Sequence, residues 1–119
     1  MIVAIDHVQL AMPPGGEERA RDFYISVLGL AEVAKPADLA ARGGCWFENS
    51  AVRVHLGVER EFQPARKAHP AFRVTDLAAL LVRARDRGVH VYDEEQRDRE
   101  RRAYVDDPFG NRIELTEPL

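Results

Sequence analysis

The sequence predicts an α+β fold built from two βαβββ modules that together form a cup-shaped mixed β-sheet barrel. Three observations carry that expectation. Strand, helix and three strands follow one another twice along the 119 residues. Gly29 matches Gly88 at an offset of 59, and the same offset lays Arg53-Val54-His55-Leu56 over Arg112-Ile113-Glu114-Leu115. One half alone cannot bury both faces of a curved four-stranded sheet, so two halves must pack together. The chain is then one domain, residues 1–119, with modules at 1–59 and 60–119.

Size and composition agree with a single globular domain. A chain of this length buries most of its apolar surface without staples, and 45% hydrophobic with 31% charged residues is ordinary. A net charge of −3 gives no electrostatic reason to expect nucleic acid or an anionic membrane as partner. No apolar run approaches the ~20 residues needed to span a bilayer. The start MIVAID carries an acid at position 6 and no basic flank, unlike a signal peptide. A single cysteine, Cys45, excludes an intrachain disulfide and fits a reducing cytoplasm. Between Gly44 and Trp46 it reads as a small buried hydrophobe.

Residues 2–11 alternate as a strand, with Val8 and Leu10 on one side and His7, Gln9 and Ala11 on the other. Pro13, Pro14, Gly15 and Gly16 break it. A helix over 17–28 has acids at its start and Gly29 as C-cap. A short strand over 30–33, a loop through Lys35, Pro36 and Asp38, and a hairpin of 44–48 with 52–58 turning at Asn49-Ser50 complete the first module. After the polar connector 59–68 the pattern restarts with a strand at 69–74 and a helix capped by Asp76 that runs to Gly88. A short strand over 89–92, a charged connector over 94–101, and a hairpin of 103–106 with 112–116 follow. Pro108 and Gly110 set its turn. In the last strand Ile113 and Leu115 face one side, and Arg112, Glu114 and Thr116 the other.

The candidate site comes from those polar faces. Three of four histidines, His7, His55 and His69, lie in strand-like runs, and Glu114 lies in a fourth. His7 falls opposite His69 at an offset of 62, which one short gap relates to 59. The four residues are therefore two pairs of equivalent positions, on the first and last strands of each half. Imidazole and carboxylate together suit Zn, Ni, Co, Mn or Fe better than Mg or Ca. His7, His69 and Glu114 make a 2-His-1-carboxylate set that leaves open positions, and His55 either adds a fourth ligand or touches substrate. Gln9, Arg53, Arg73 and Arg112 share the same polar face as candidate substrate contacts, the arginines suiting a carboxylate or phosphonate. His90 stands outside the symmetric set.

The runs IDHVQLAM, FYISVLGL, HLGV, HPAFRV and DPFGNRIEL, covering nearly the whole chain, resemble the vicinal oxygen chelate superfamily. That group includes glyoxalase I, the fosfomycin-resistance thiol transferases and the extradiol dioxygenases. The resemblance implies paired βαβββ modules around a divalent metal, with His7, His69 and Glu114 at the family's ligand positions. At His55 glyoxalase I uses a glutamate, so this chain departs from that pattern. The implied function is a small metalloenzyme of glyoxalase type, a lyase or isomerase in which the ion is a Lewis acid and Glu114 a ligand and general base. An Fe(II) extradiol-type dioxygenase and a thiol transferase acting on an epoxide are rivals. A bleomycin-resistance-like, non-catalytic ligand-binding dimer is the alternative of another class. Small members of the group pair as homodimers, which is the expectation here.

Overall fold

Period-two alternation in β1 (Val8–Met12) puts Leu10 and Met12 into the core and leaves Gln9 exposed. This strand opens the first of two units, Met1–Gln63 and Pro64–Leu119, in a computed structural model that describes residues 1–119. In α1 (Glu17–Tyr24) the acids Glu17 and Glu18 occupy the first turn, where they oppose the positive end of the helix dipole. The chain keeps turning to Gly29, whose φ of +79° ends it, and Leu30 N donates back to the Tyr24 carbonyl.

β2 (Ala31–Val33), a helical turn α2 (Ala37–Ala40), β3 (Cys45–Glu48) and β4 (Arg53–Val58) complete this unit. The sheet runs β1-β4-β3-β2, with β1 and β4 parallel and the other neighbours antiparallel. Asn49 shapes the β3–β4 turn, its Oδ1 accepting from Ala51 N and Val52 N at 2.8 Å each. Phe23, Tyr24, Phe47, Val54 and Leu56 are buried, and the Tyr24 and Phe47 rings stack with centroids 5.3 Å apart.

The second unit repeats the plan with β5 (Ala71–Arg73), α3 (Leu77–Asp86), β6 (Val91–Arg97), β7 (Glu100–Asp106) and β8 (Arg112–Pro118). Its order is β5-β8-β7-β6, with β5 and β8 parallel. Asp76 caps α3, its Oδ1 accepting from Ala79 N at 3.0 Å. The helix buries Leu77, Leu80, Leu81 and Ala84, and β8 buries Ile113 and Leu115. Each such leucine or isoleucine contributes about 1.5–3 kcal/mol on leaving water. Asp107 organises the β7–β8 turn, accepting from Phe109 N at 2.8 Å and from Asn111 N at 2.9 Å. Asn111, fully buried, in turn accepts from Ala65 N at 2.9 Å.

The register reproduces both sequence offsets. Gln9 lies opposite His55, and Ala71 lies opposite Glu114. From 55 to 114 is 59, and from 9 to 71 is 62. The fold is thus α+β, with two mixed four-stranded sheets that are each open.

Three elements differ from expectation. The first strand starts at Val8, not at residue 2, because β4 begins at Arg53 and offers no rung beyond it. Ile2, Val3 and Ile5 are consequently exposed. The loop after β2 contains α2. The charged connector 94–101 is largely the β6–β7 hairpin, which turns at Asp98 and Arg99 with φ of +52° and +65°. Its strand β6 lies at the sheet edge, where charged side chains discourage further pairing. No helix is long and apolar enough to cross a membrane.

Candidate metal and substrate site

In the second unit β8 brings Glu114 beside His69, which lies just ahead of β5. His69 Nε2 is 3.0 Å from Glu114 Oε1. His69 Nδ1 faces the carbonyls of Lys67 at 2.9 Å and Arg66 at 3.2 Å. Carbonyl oxygens only accept, so Nδ1 carries the hydrogen and Nε2 is left to face a carboxylate oxygen. Two lone pairs do not face each other at that distance without a proton, on the ring or on the carboxyl, or a metal ion between them. Two donor atoms each about 2.1 Å from a common ion stand roughly 3.0 Å apart at a right angle and roughly 3.4 Å apart at a tetrahedral one, so the pair is close to the spacing of two ligands on one metal. A ligand histidine steadied through its other ring nitrogen by a carbonyl is also the usual arrangement.

Glu114 is mostly buried, its side chain 13% exposed, and its other oxygen lies 3.4 Å from Arg102 Nη1. Arg102 Nη2 pairs with Glu100 at 3.2 Å, and the buried Arg102 Nε has no partner. Tyr104, opposite Glu114 across β7–β8, sets its ring edge against His69, with centroids 5.5 Å apart.

In the first unit His7 and His55 are brought together differently. Their rings stack at 4.1 Å, and Trp46 covers the other side of His55 at 3.9 Å with the planes 2° apart. Burial, then the neighbouring His7, pushes the His55 pKa below its usual range. His7 Nδ1 is 2.9 Å from Asp6 Oδ2, which again leaves Nε2 as the lone-pair nitrogen. That contact is the leading reason the Asp6 carboxyl is held below its ordinary pKa. His7, Gln9, Trp46, Arg53 and His55 help line a cavity of about 560 Å³. The Gln9 amide lies over Gly57, where a Cβ would come within 2.5 Å of Gln9 Nε2. Neither unit by itself gathers three or more His, Cys, Asp or Glu side chains placed to hold an ion.

The three candidate arginines separate clearly. Arg53 is half exposed and pairs with Asp6 at 3.1 Å and Glu48 at 3.7 Å. Arg73 is more exposed and pairs with Glu100 at 3.1 Å. Arg112 meets no carboxylate: its Nε donates to the Tyr92 hydroxyl at 3.0 Å, and its guanidinium carbon stands 5.7 Å and 5.5 Å from the Tyr92 and Tyr104 ring centroids. His90 stacks on Tyr92 at 5.1 Å. Burial pushes the Cys45 thiol up to about 11, so it is no nucleophile at neutral pH.

The sequence reading missed Trp46, Tyr92, Arg102 and Tyr104. Two of them had a signal. Counting back from the Asn49 turn places Trp46 opposite His55, and counting around the Asp107 turn places Tyr104 opposite Glu114.

The model of the Glyoxalase/Bleomycin resistance protein/Dioxygenase superfamily matches residues 4–115. The crystal structure of a glyoxalase family protein from Bacillus anthracis is 46% identical with a TM-score of 0.92, over 100% of this chain and 98% of that one. TnmS3, an antibiotic binding protein from Streptomyces sp. CB03234, is 27% identical with a TM-score of 0.69, over 99% and 100%. The fosfomycin resistance protein FosX from Listeria monocytogenes is 17% identical with a TM-score of 0.79, over 100% and 96%, a likeness of fold. No curated protein matches. With the duplicated register and a family model running from the first strand to the last, the chain belongs to the glyoxalase, bleomycin resistance and dioxygenase group, the vicinal oxygen chelate superfamily.

Proposed function

We propose that the chain is a small metal-dependent enzyme of glyoxalase type, a lyase or isomerase acting on a small oxygenated substrate. The observation that carries this is the facing of His69 Nε2 and Glu114 Oε1 at 3.0 Å while His69 Nδ1 is committed to backbone carbonyls. In this reading the ion, one of Zn, Ni, Co, Mn or Fe, takes His69 and Glu114 as ligands, with His7 and His55 as the further candidates. When bound it supplies Lewis acidity toward substrate oxygens.

The chain's own groups do the rest. The Lys67 carbonyl fixes the tautomer of His69, and Asp6 does the same for His7. Arg102 holds one oxygen of Glu114, so the carboxylate is aimed by two neighbours instead of swinging in solvent. A Glu114 oxygen not held by a neighbour would accept a proton from the substrate. The test is metal content. Wild type is expected to purify with or take up a stoichiometric divalent ion that His69→Ala loses; equal content in both overturns the reading.

A second reading is a ligand-binding protein without catalysis. It is favoured by the likeness to the antibiotic binding protein TnmS3 and by the flat Trp46–His55–His7 ring stack. Metal-independent quenching of Trp46 fluorescence by an aromatic ligand, in a protein that holds no metal, is its signature.

A further inference from the structure

We propose that Arg112 is the anion-binding fork of this site, and that Tyr92 is the positioning residue that aims it. The inference rests on the reading that substrate is bound at Glu114, and it names the substrate class: a small molecule with a carboxylate, phosphate or phosphonate at one end. All the residues involved lie in the second unit.

Arg112 and Glu114 are two positions apart on β8 and share a face, so their backbones are about 6–7 Å apart along the strand. An arginine there would ordinarily be spent on Asp106, its register partner on β7. It is not. Arg66 takes that carboxylate, donating to Asp106 Oδ1 at 2.7 Å and to the Gly110 carbonyl at 2.8 Å. The Tyr92 hydroxyl also donates to Asp106 Oδ1, at 3.0 Å, which turns its lone pairs toward the arginines. It accepts from Arg112 Nε at 3.0 Å and from Arg66 Nη2 at 3.4 Å. Burial raises the Tyr92 pKa, which keeps the phenol protonated and able to donate.

Arg112 is thus clamped at Nε and flanked by the Tyr92 and Tyr104 rings, while its two terminal nitrogens carry no ion pair or hydrogen bond within the unit. A guanidinium fixed at one edge and open along the other is preorganised for a bidentate oxyanion. Arg53 and Arg73 hold carboxylates of the chain already. A substrate that fits carries its anion about one strand repeat from the oxygens that lie near Glu114.

The experiment is titration of the full-length protein with inorganic phosphate and with methylphosphonate. Calorimetry reads affinity, and arginine Nε–H NMR reads where the anion sits. The Arg112 Nε–H signal of the wild type should shift on titration. Arg112→Met should weaken binding by about ten- to hundredfold, the loss of a charged hydrogen-bonding partner. Arg112→Lys, which keeps the charge but not the fork, should weaken it several-fold. Tyr92→Phe should cost about three- to tenfold and speed the solvent exchange of Arg112 Nε–H relative to wild type while leaving Tm nearly unchanged, a signature that a purely structural tyrosine would not give. Arg97→Met, on the β6–β7 hairpin, should change nothing. Undiminished binding in both Arg112 variants, or a wild-type Arg112 signal that no anion moves, overturns the proposal. Metal content is read separately: if His69→Ala keeps its ion while Arg112→Met still loses phosphate, the metal assignment fails and the anion fork stands.

Discussion

The two units place candidate residues at equivalent positions of equivalent sheets and obtain different chemistry from them. In the second, His69 and Glu114 meet edge on, nitrogen to oxygen, with Arg102 and a backbone carbonyl behind them. In the first, His7 and His55 meet face to face beneath Trp46. Duplication sets where a side chain stands, and the residue type sets what it can do there. A carboxyl opposite a ring nitrogen needs a shared proton or a metal ion between them, whereas two stacked imidazoles make no such demand and bury ring surface instead. Metal affinity should therefore depend most on the second unit's pair, with the first unit's ring stack adding shape selectivity.

The largest effect should come from removing the edge-on pair. His69→Ala is expected to reduce metal affinity by more than about 100-fold, and His55→Ala by about tenfold or less, read by competition with a chelator. A larger loss from His55 would invert the comparison. Next come the cores, one with Phe23, Tyr24 and Phe47 among its aliphatic residues and the other aliphatic throughout. Phe47→Ala should cost about 3–5 kcal/mol and Leu115→Ala about 2–5 kcal/mol in urea denaturation, since both are completely buried.

The helices differ more modestly. α3 has a side-chain cap and α1 has none, so Asp76→Ala should cost about 1 kcal/mol, with no counterpart at Gly16. The smallest effect is one of pH. Because burial lowers the His55 pKa from about 6.5, the folded state favours the neutral ring. The stability this gives is present above the unfolded pKa and is lost as pH falls through the folded one. His55→Gln should flatten the decline in urea midpoint between pH 8 and pH 5; an unchanged slope would remove burial as the cause.

Much of this was legible without coordinates because strands with one buried face announce their register. Val54, Leu56, Ile113 and Leu115 alternate inward, which fixes His55 and Glu114 on the other side at matching positions. Asp107 and Asn111 likewise occur where a turn needs their hydrogen bonds. The β6–β7 hairpin was not legible. Its residues 93–99 are exposed on both faces, so no apolar period marks them, and what orders them is backbone pairing with ion pairs such as Arg85 with Glu94. The same opacity hid Arg102 and Tyr92, whose roles depend on partners up to 26 residues away.

One quiet position gives the first unit an adjustable floor. Gly57 sits beneath the Gln9 amide, and the atom that a methyl would displace is the free end of a flexible chain, not backbone. Gly57→Ala would work as a wedge, tipping Gln9 away from the strand while His55 keeps its rung and His7 its place ahead of β1. Laboratory selection for a new guest molecule thus has a place to begin that leaves every proposed metal ligand untouched.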